Sequence, residues 1–247
     1  MVDVNNRIYP IVPPKNYVDI YNLGITNFMF LAGYNYPDNI ISILEDRHTN
    51  KILDNGLAEG IKLTTRELDT KRLNFRADYF LLPDYYDKDN IVEKKDGVKK
   101  VAELGFKRAK SYIEDSILDR KNLGVIVKSI NDDIIKKYED LLGSKIKKIF
   151  IARVLERTKL TEYYLNKGYN IHWLGCSCRE DYKRLAKDYT EVTMDTAELV
   201  NLGGNFSSYL EGKEVENRRR PDFETYTMSK EELDTLMKNL EMLKDIQ

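Results

Sequence analysis

Short apolar runs alternate with charged, amphipathic stretches along most of this chain. The runs are Phe28–Ala32, Ile52–Leu53, Tyr79–Leu82, Gly124–Val127, Lys148–Ile151, Asn170–Leu174 and Glu191–Met194. Each is too short for a helix, and successive apolar positions are the mark of a strand buried on both faces. Between them, helical stretches carry their own start and stop signals. Thr64–Leu73 opens with Thr64, Thr65 and Glu67 in the manner of an N-cap. Asn131 caps a stretch to Leu142 in which Ile134, Ile135, Tyr138, Leu141 and Leu142 fall at helical spacing, and Gly143 supplies the stop. Further helices are expected over Glu156–Asn166, ending near Gly168, and over Arg179–Lys187.

Strands alternating with helices of ten or more residues predict a parallel sheet. Seven strands are counted, and an eighth falls at Arg7–Val12 or near Phe223–Thr227. That number favours a single (β/α)8 TIM-type barrel over an open doubly wound sheet. The 247 residues form one domain on this reading, close to the roughly 250 typical of such barrels. No G-x-G-x-x-G follows the first strand, which counts against a dinucleotide fold. The longest helical stretch, about Asn90–Asp119, is interrupted by Gly97 and Gly105. Its lysines and arginines form either a solvated face or a nucleic-acid patch. A C-terminal helix opens with a capping box, Ser229 to Glu232. Its stripe of Leu233, Leu236, Met237, Leu240 and Leu243 packs on the barrel or forms a homodimer contact.

Composition narrows the class. A net charge of −1 excludes a polycation, although a local basic face remains open. Seventeen tyrosines are many. They cap cores at wet edges, and some can stack on bases. The two cysteines, Cys176 and Cys178, point the same way on an extended strand and do not form a disulfide framework. Met1-Val2-Asp3-Val4-Asn5-Asn6 lacks a cationic head followed by an apolar core, so no signal peptide is expected. No apolar run is long enough to span a bilayer. The expectation is a cytoplasmic protein with no membrane partner.

Candidate chemistry lies where the runs stop. Asp54 follows Ile52-Leu53, Asp84 follows Leu82-Pro83, and Asp195 follows Thr193-Met194. Barrel active sites are built at the carboxyl ends of strands, so these three acids are expected to open onto one mouth, with Lys128, Arg153 and Cys176 at other strand ends. An Asp at such a position also caps the following helix in many proteins. Clustered carboxylates bind a divalent metal or share acid, base and nucleophile roles. His48 lies in a polar stretch and His172 early in an apolar strand, so a metal site lacks histidine ligands. Neither a four-ligand Cys/His set nor a Ser-His-Asp set is present, so no metal and no cofactor is expected.

Leu53-Asp54-Asn55-Gly56, Leu82-Pro83-Asp84, Gly124-Val125-Ile126-Val127-Lys128, Ile151-Ala152-Arg153, His172-Trp173-Leu174-Gly175 and Met194-Asp195-Thr196 follow in this order. In that order and spacing the chain resembles the tRNA-guanine transglycosylase superfamily over about residues 28–225. It is most similar to the compact phage and bacterial branch that places 7-deazaguanine bases in DNA. The resemblance implies a (β/α)8 barrel that exchanges guanine in an intact polynucleotide, DNA or tRNA, for a 7-deazaguanine base. It implies Asp195 as nucleophile, Asp54 as general acid/base with Asn55 and Gly56 beside it, and Asp84 as reader of the base's amidine edge. Ala152 and Arg153 fall where backbone groups contact the base. The chain departs from the family at Lys128-Ser129, where Gln-Gly is usual, and Lys donates but cannot accept. The family's zinc ligands downstream of the nucleophile are absent, since no Cys follows Asp195.

The chemistry fits these residue types. Base displacement at C1′ passes through an oxocarbenium-like state that a carboxylate stabilises or traps. A second carboxylic acid moves a proton on the base, and an ionised third accepts from a guanine's N–H and amine. Arg218-Arg219-Arg220 suits backbone phosphates, or is a solvated linker. The alternatives are a tRNA-acting enzyme, a base-removing glycosidase, and an inactive nucleic-acid-binding barrel. A metal-dependent barrel enzyme is disfavoured by the missing histidines.

Overall fold

The computed structural model describes residues 7–56, 60–85, 97–213, 215 and 221–243. The strands are β1 (Ile8–Pro10), β2 (Asn27–Leu31), β3 (Asn50–Asp54), β4 (Tyr79–Leu81), β5 (Leu123–Val127), β6 (Lys148–Ile151), β7 (Asn170–Trp173) and β8 (Thr193–Thr196). They form one eight-stranded sheet in the order β1-β8-β7-β6-β5-β4-β3-β2. β1–β8, β3–β4, β4–β5 and β5–β6 are parallel pairs. The helices are α1 (Tyr17–Asn22), α2 (Ile41–Glu45), α3 (Thr65–Phe75), α4 (Gly97–Asp115), α5 (Asp132–Leu142), α6 (Arg157–Asn166), α7 (Arg179–Lys187), α8 (Glu198–Asn201), α9 (Phe206–Glu211) and α10 (Lys230–Met242). The fold is a (β/α)8 TIM-type barrel with a C-terminal helix. The eighth strand is the N-terminal candidate, and Phe223–Thr227 contains no strand.

Contacts within the chain group the residues into two compact units. The first holds 1–29, 34–50 and 173–247, and the second 30–33 and 51–172.

In the second unit the two faces of each strand take different partners, as the alternation of side chains requires. Tyr79 packs on Phe150 of β6 at 6.0 Å between ring centroids, while Phe80 meets Tyr112 of α4 at 5.2 Å. Gly124 makes room for this layer: a Cβ there would lie 2.4 Å from the Phe150 ring and 2.9 Å from Leu81. α3 begins with a complete capping box between Thr64 and Glu67, and the Asn131 side chain accepts from the Ile134 N–H at the start of α5. α4 runs unbroken through Gly105, against the expected interruption. A glycine costs about 1 kcal/mol in a helix interior, and here the Gly105 face of the helix packs at ordinary contact distance on Asp84 and Tyr85. The helix stops at Asp115 because the next groups turn elsewhere. Ser116 Oγ and the Ile117 N–H both donate to the buried Asp69 carboxylate, which Tyr112 also holds. The expected start of this stretch, 90–96, lies outside the described residues.

In the first unit, Arg7 donates to the Leu185 and Tyr189 carbonyls, anchoring the entry to β1 on the end of α7. α10 starts with the predicted capping box. It buries Leu236 and Leu240, and Leu243, which caps its end, is buried too. Asn239 fixes its position by donating to the Leu199 and Gly203 carbonyls, both at 3.0 Å. Among the described residues no helix is long and apolar enough to cross a membrane.

Lys148 opens β6 with its Nζ 5.0 Å from the centre of the Tyr79 ring. Burial pushes its ammonium down to about 8, against the opposing pull of Asp78. The unfolded chain therefore binds more protons than the folded one between about pH 8 and the ordinary lysine range near pH 10, and stability rises with pH in that window. Buried Tyr112, pushed up to about 12, acts in the opposite sense only above about pH 10. Urea unfolding between about pH 8 and 9.5 should show stability increasing with pH, and Lys148→Met should flatten the slope. The same slope in the variant would contradict this account.

Candidate active site

Asp195 lies in the first unit, inside β8 rather than just after its strand. The expected strand, Glu191–Met194, is shifted by two residues. The reason is pairing: Tyr9↔Asp195 and Pro10↔Thr196 are in register with β1, and the Cys176 N–H donates to the Asp195 carbonyl at 3.0 Å. The side chain is 2% exposed. The Gly175 N–H donates to its Oδ2 at 2.9 Å. Gly175 has φ +60, so the turn after β7 uses a left-handed residue to bring this N–H to the acid.

A hydroxyl network braces the same strand. Thr196 Oγ1 donates to the Cys176 carbonyl, and the Tyr182 hydroxyl bonds to Thr196 Oγ1, each at 2.7 Å. Burial raises the Tyr182 phenol well above its ordinary range, so it stays protonated. Tyr17 is buried nearby: its hydroxyl donates to the Met29 carbonyl and is hydrogen-bonded by Tyr36. Burial raises this phenol too, and Asp195 adds to the rise. Cys176 is buried and Cys178 exposed, contrary to their expected common direction. The strand ends at Trp173, so strand alternation no longer governs them.

Asp54 and Asp84 lie in the second unit, leaving neighbouring parallel strands at the same end. Asp54 is the last residue of β3 and half-buried. Its Oδ1 accepts from the Gly56 N–H at 3.1 Å, an Asx turn completed by Gly56 at φ +72. Asp84 is paired with Lys128: Nζ lies 2.7 Å from Oδ2, and it also donates to the Tyr85 carbonyl. Arg108 donates to the Asp84 carbonyl at 3.2 Å and sits 4.9 Å over the Tyr85 ring. A small cavity of about 20 Å³ adjoins the pair, lined by Asp84, Lys128, Ser129, Tyr138 and Tyr164 among others. It has room for about one water.

The other residues assigned from the sequence have these surroundings. Asn55, expected beside the substrate, is 5% exposed and donates to the Leu81 and Leu82 carbonyls at 3.4 and 3.2 Å. It clamps β3 to the end of β4. The Ala152 N–H is bonded to the Val127 carbonyl, and Arg157 reaches the Ala152 carbonyl, so both backbone groups have protein partners. Arg153 is exposed. Arg218, Arg219 and Arg220 lie outside the described residues. His172 is a core residue, fully buried against the Phe150 ring. Among the described residues no group of three or more His, Cys, Asp or Glu is arranged to hold a metal ion.

No protein-family model and no curated protein matches this chain. Among solved structures, it is similar to the crystal structure of KGPDC from Streptococcus mutans. Identity is 9% and the TM-score 0.45, with 94% of this chain and 96% of that chain covered. A second crystal structure of KGPDC from Streptococcus mutans, a ligand complex, is 10% identical at a TM-score of 0.34, covering 60% of this chain and 76% of that chain. Likeness at this level carries no functional argument.

The sequence reading missed the Gly175 N–H and the Tyr17 and Tyr36 hydroxyls. Gly175 stood in a motif but had no role, and the tyrosines stood in none. The Asn55 clamp is testable. Asn55→Ala should cost about 1–3 kcal/mol of stability, since two buried carbonyls lose their donor. A urea midpoint and slope like those of the wild type would instead return Asn55 to the substrate.

Proposed function

We propose that this chain is a base-exchanging transglycosylase that replaces guanine in a polynucleotide, DNA in the first instance, with a 7-deazaguanine base. The observation that carries the reading is the buried Asp195 carboxylate, oriented on β8 by the Gly175 N–H. A nucleophile must be held in an attack geometry before the substrate arrives, and a fixed carboxylate meets that need. The resemblance in motif order supplies the substrate class.

On this reading an Asp195 oxygen bonds to C1′ as the C1′–N9 bond breaks, and the electron pair leaves with guanine. Asp54 in its acid form gives the departing base a proton. The incoming 7-deazaguanine then loses its N9 proton to Asp54, attacks C1′, and releases the Asp195 carboxylate. Two displacements retain the anomeric configuration. Asp84 and Lys128 offer acceptors and a donor side by side, which suits a base edge carrying an N–H, an amine and a carbonyl. Their mutual ion pair means that the base shares this carboxylate with Lys128. Arg218, Arg219 and Arg220 are assigned to backbone phosphates on sequence alone.

Incubation with labelled 7-deazaguanine bases and either DNA or tRNA, followed by nucleoside mass spectrometry, tests the reaction. Label in DNA nucleosides is expected. Label in tRNA alone would move the substrate to RNA, release of guanine without incorporation would make the chain a glycosidase, and neither would end the reading. Asp195→Asn should lower exchange by on the order of 10³-fold or more while retaining polynucleotide binding. Asp84→Ala should act chiefly on use of the incoming base, raising its KM by about ten-fold or more with a smaller change in kcat. Near-normal exchange by Asp195→Asn would exclude it as the nucleophile.

A further inference from the structure

Tyr17 and Tyr36 of the first unit are in ring contact, Tyr34 and Asp195 both act electrostatically on the Tyr17 hydroxyl, and the reaction scheme uses none of the three tyrosines. Tyr17 is the buried member, 1% exposed, with its hydroxyl fixed by the Met29 carbonyl and by Tyr36. The Tyr36 ring stands edge-on to Tyr17, with centroids 5.4 Å apart and planes at 83°. Tyr34 and Asp195 are both near enough to act electrostatically on the Tyr17 hydroxyl. Tyr34 and Tyr36 are half-buried, whereas the β2 residues before them are fully buried. Pro37 follows directly and restricts the backbone of Tyr36 to extended conformations. The two rings thus sit on a stiffened segment with part of their surface toward solvent. Partly exposed aromatic rings on a stiffened segment in the neighbourhood of Asp195 provide a stacking surface with little left to order on binding.

We propose that Tyr34 and Tyr36 form an aromatic platform that stacks a nucleobase of single-stranded or unstacked DNA next to Asp195. The site is a π-face, so it takes any base and adds affinity without sequence preference. It also meets a need of the exchange reaction, on which the proposal rests: a base replaced at C1′ must first leave its stack.

The test uses the full chain and single-stranded DNA carrying one 2-aminopurine, whose fluorescence is quenched on stacking. Wild type should quench it. Tyr34→Ala and Tyr36→Ala should each weaken binding by about ten-fold and remove most of the quenching. Tyr34→Phe and Tyr36→Phe should bind within about two-fold of wild type, because the ring face is kept. Tyr36→Leu, which still fills space against Tyr17, should behave as Tyr36→Ala does and guards against a folding defect. Alanine variants that bind and quench like wild type would overturn the platform. So would phenylalanine variants that lose as much as alanine, since the hydroxyls would then be the contact. The exchange assay separates this from the reaction scheme. Tyrosine-dependent quenching by a chain that exchanges no base would leave the platform standing and remove the transglycosylase reading. Exchange that persists without tyrosine-dependent quenching would do the reverse.

Discussion

A carboxylate placed inside a barrel strand has to be held, because burying a charge without hydrogen-bond partners is costly. Asp195 meets that constraint with the N–H of Gly175, delivered by a left-handed turn after β7. The surrounding groups follow from the same requirement. Thr196 and Tyr182 tie β8 to the Cys176 carbonyl, and β1 pairs along the other edge of the strand. The acid is therefore oriented on β8 by the fold itself, which is what the proposed nucleophilic role requires.

The second unit solves a similar problem with different means. Its polar strand ends satisfy one another: Lys128 pairs with Asp84, Asn55 serves the β4 carbonyls, and Asp54 closes a turn on Gly56. Asp69 gathers three donors from α4 and the residues after it, and so sets where that helix ends. A base bound at Asp84 would have to reorganise a formed ion pair. Lys128 thus gives this end of the second unit a positive charge and a donor beside the Asp84 carboxylate.

The barrel was legible because its signals are local. Parallel strands buried on both faces read as short apolar runs, as in Lys148–Ile151, and Thr64, Asn131 and Ser229 announce helices through their own capping bonds. Misplaced features depend on distant partners. β8 contains Asp195 and two threonines, so its apolar run ends before the strand does, and only pairing with β1 carries it to Thr196. Asn55 before Gly56 reads as a turn, yet its amide is spent on carbonyls 26 and 27 residues away. Gly105 reads as a break, but it lies inside a continuous α4 and packs against Asp84 and Tyr85. The Tyr17–Tyr36 contact joins residues on either side of β2 and leaves no trace in local spacing.

The central claim is that Asp195 itself becomes bonded to the sugar. Its most direct measurement is peptide mapping by mass spectrometry after the chain has been denatured in the act of exchanging a labelled oligonucleotide. Expected is a nucleotide-sized mass on the peptide that contains Asp195. An adduct on the peptide containing Asp54, or no adduct under conditions of rapid exchange, would contradict it.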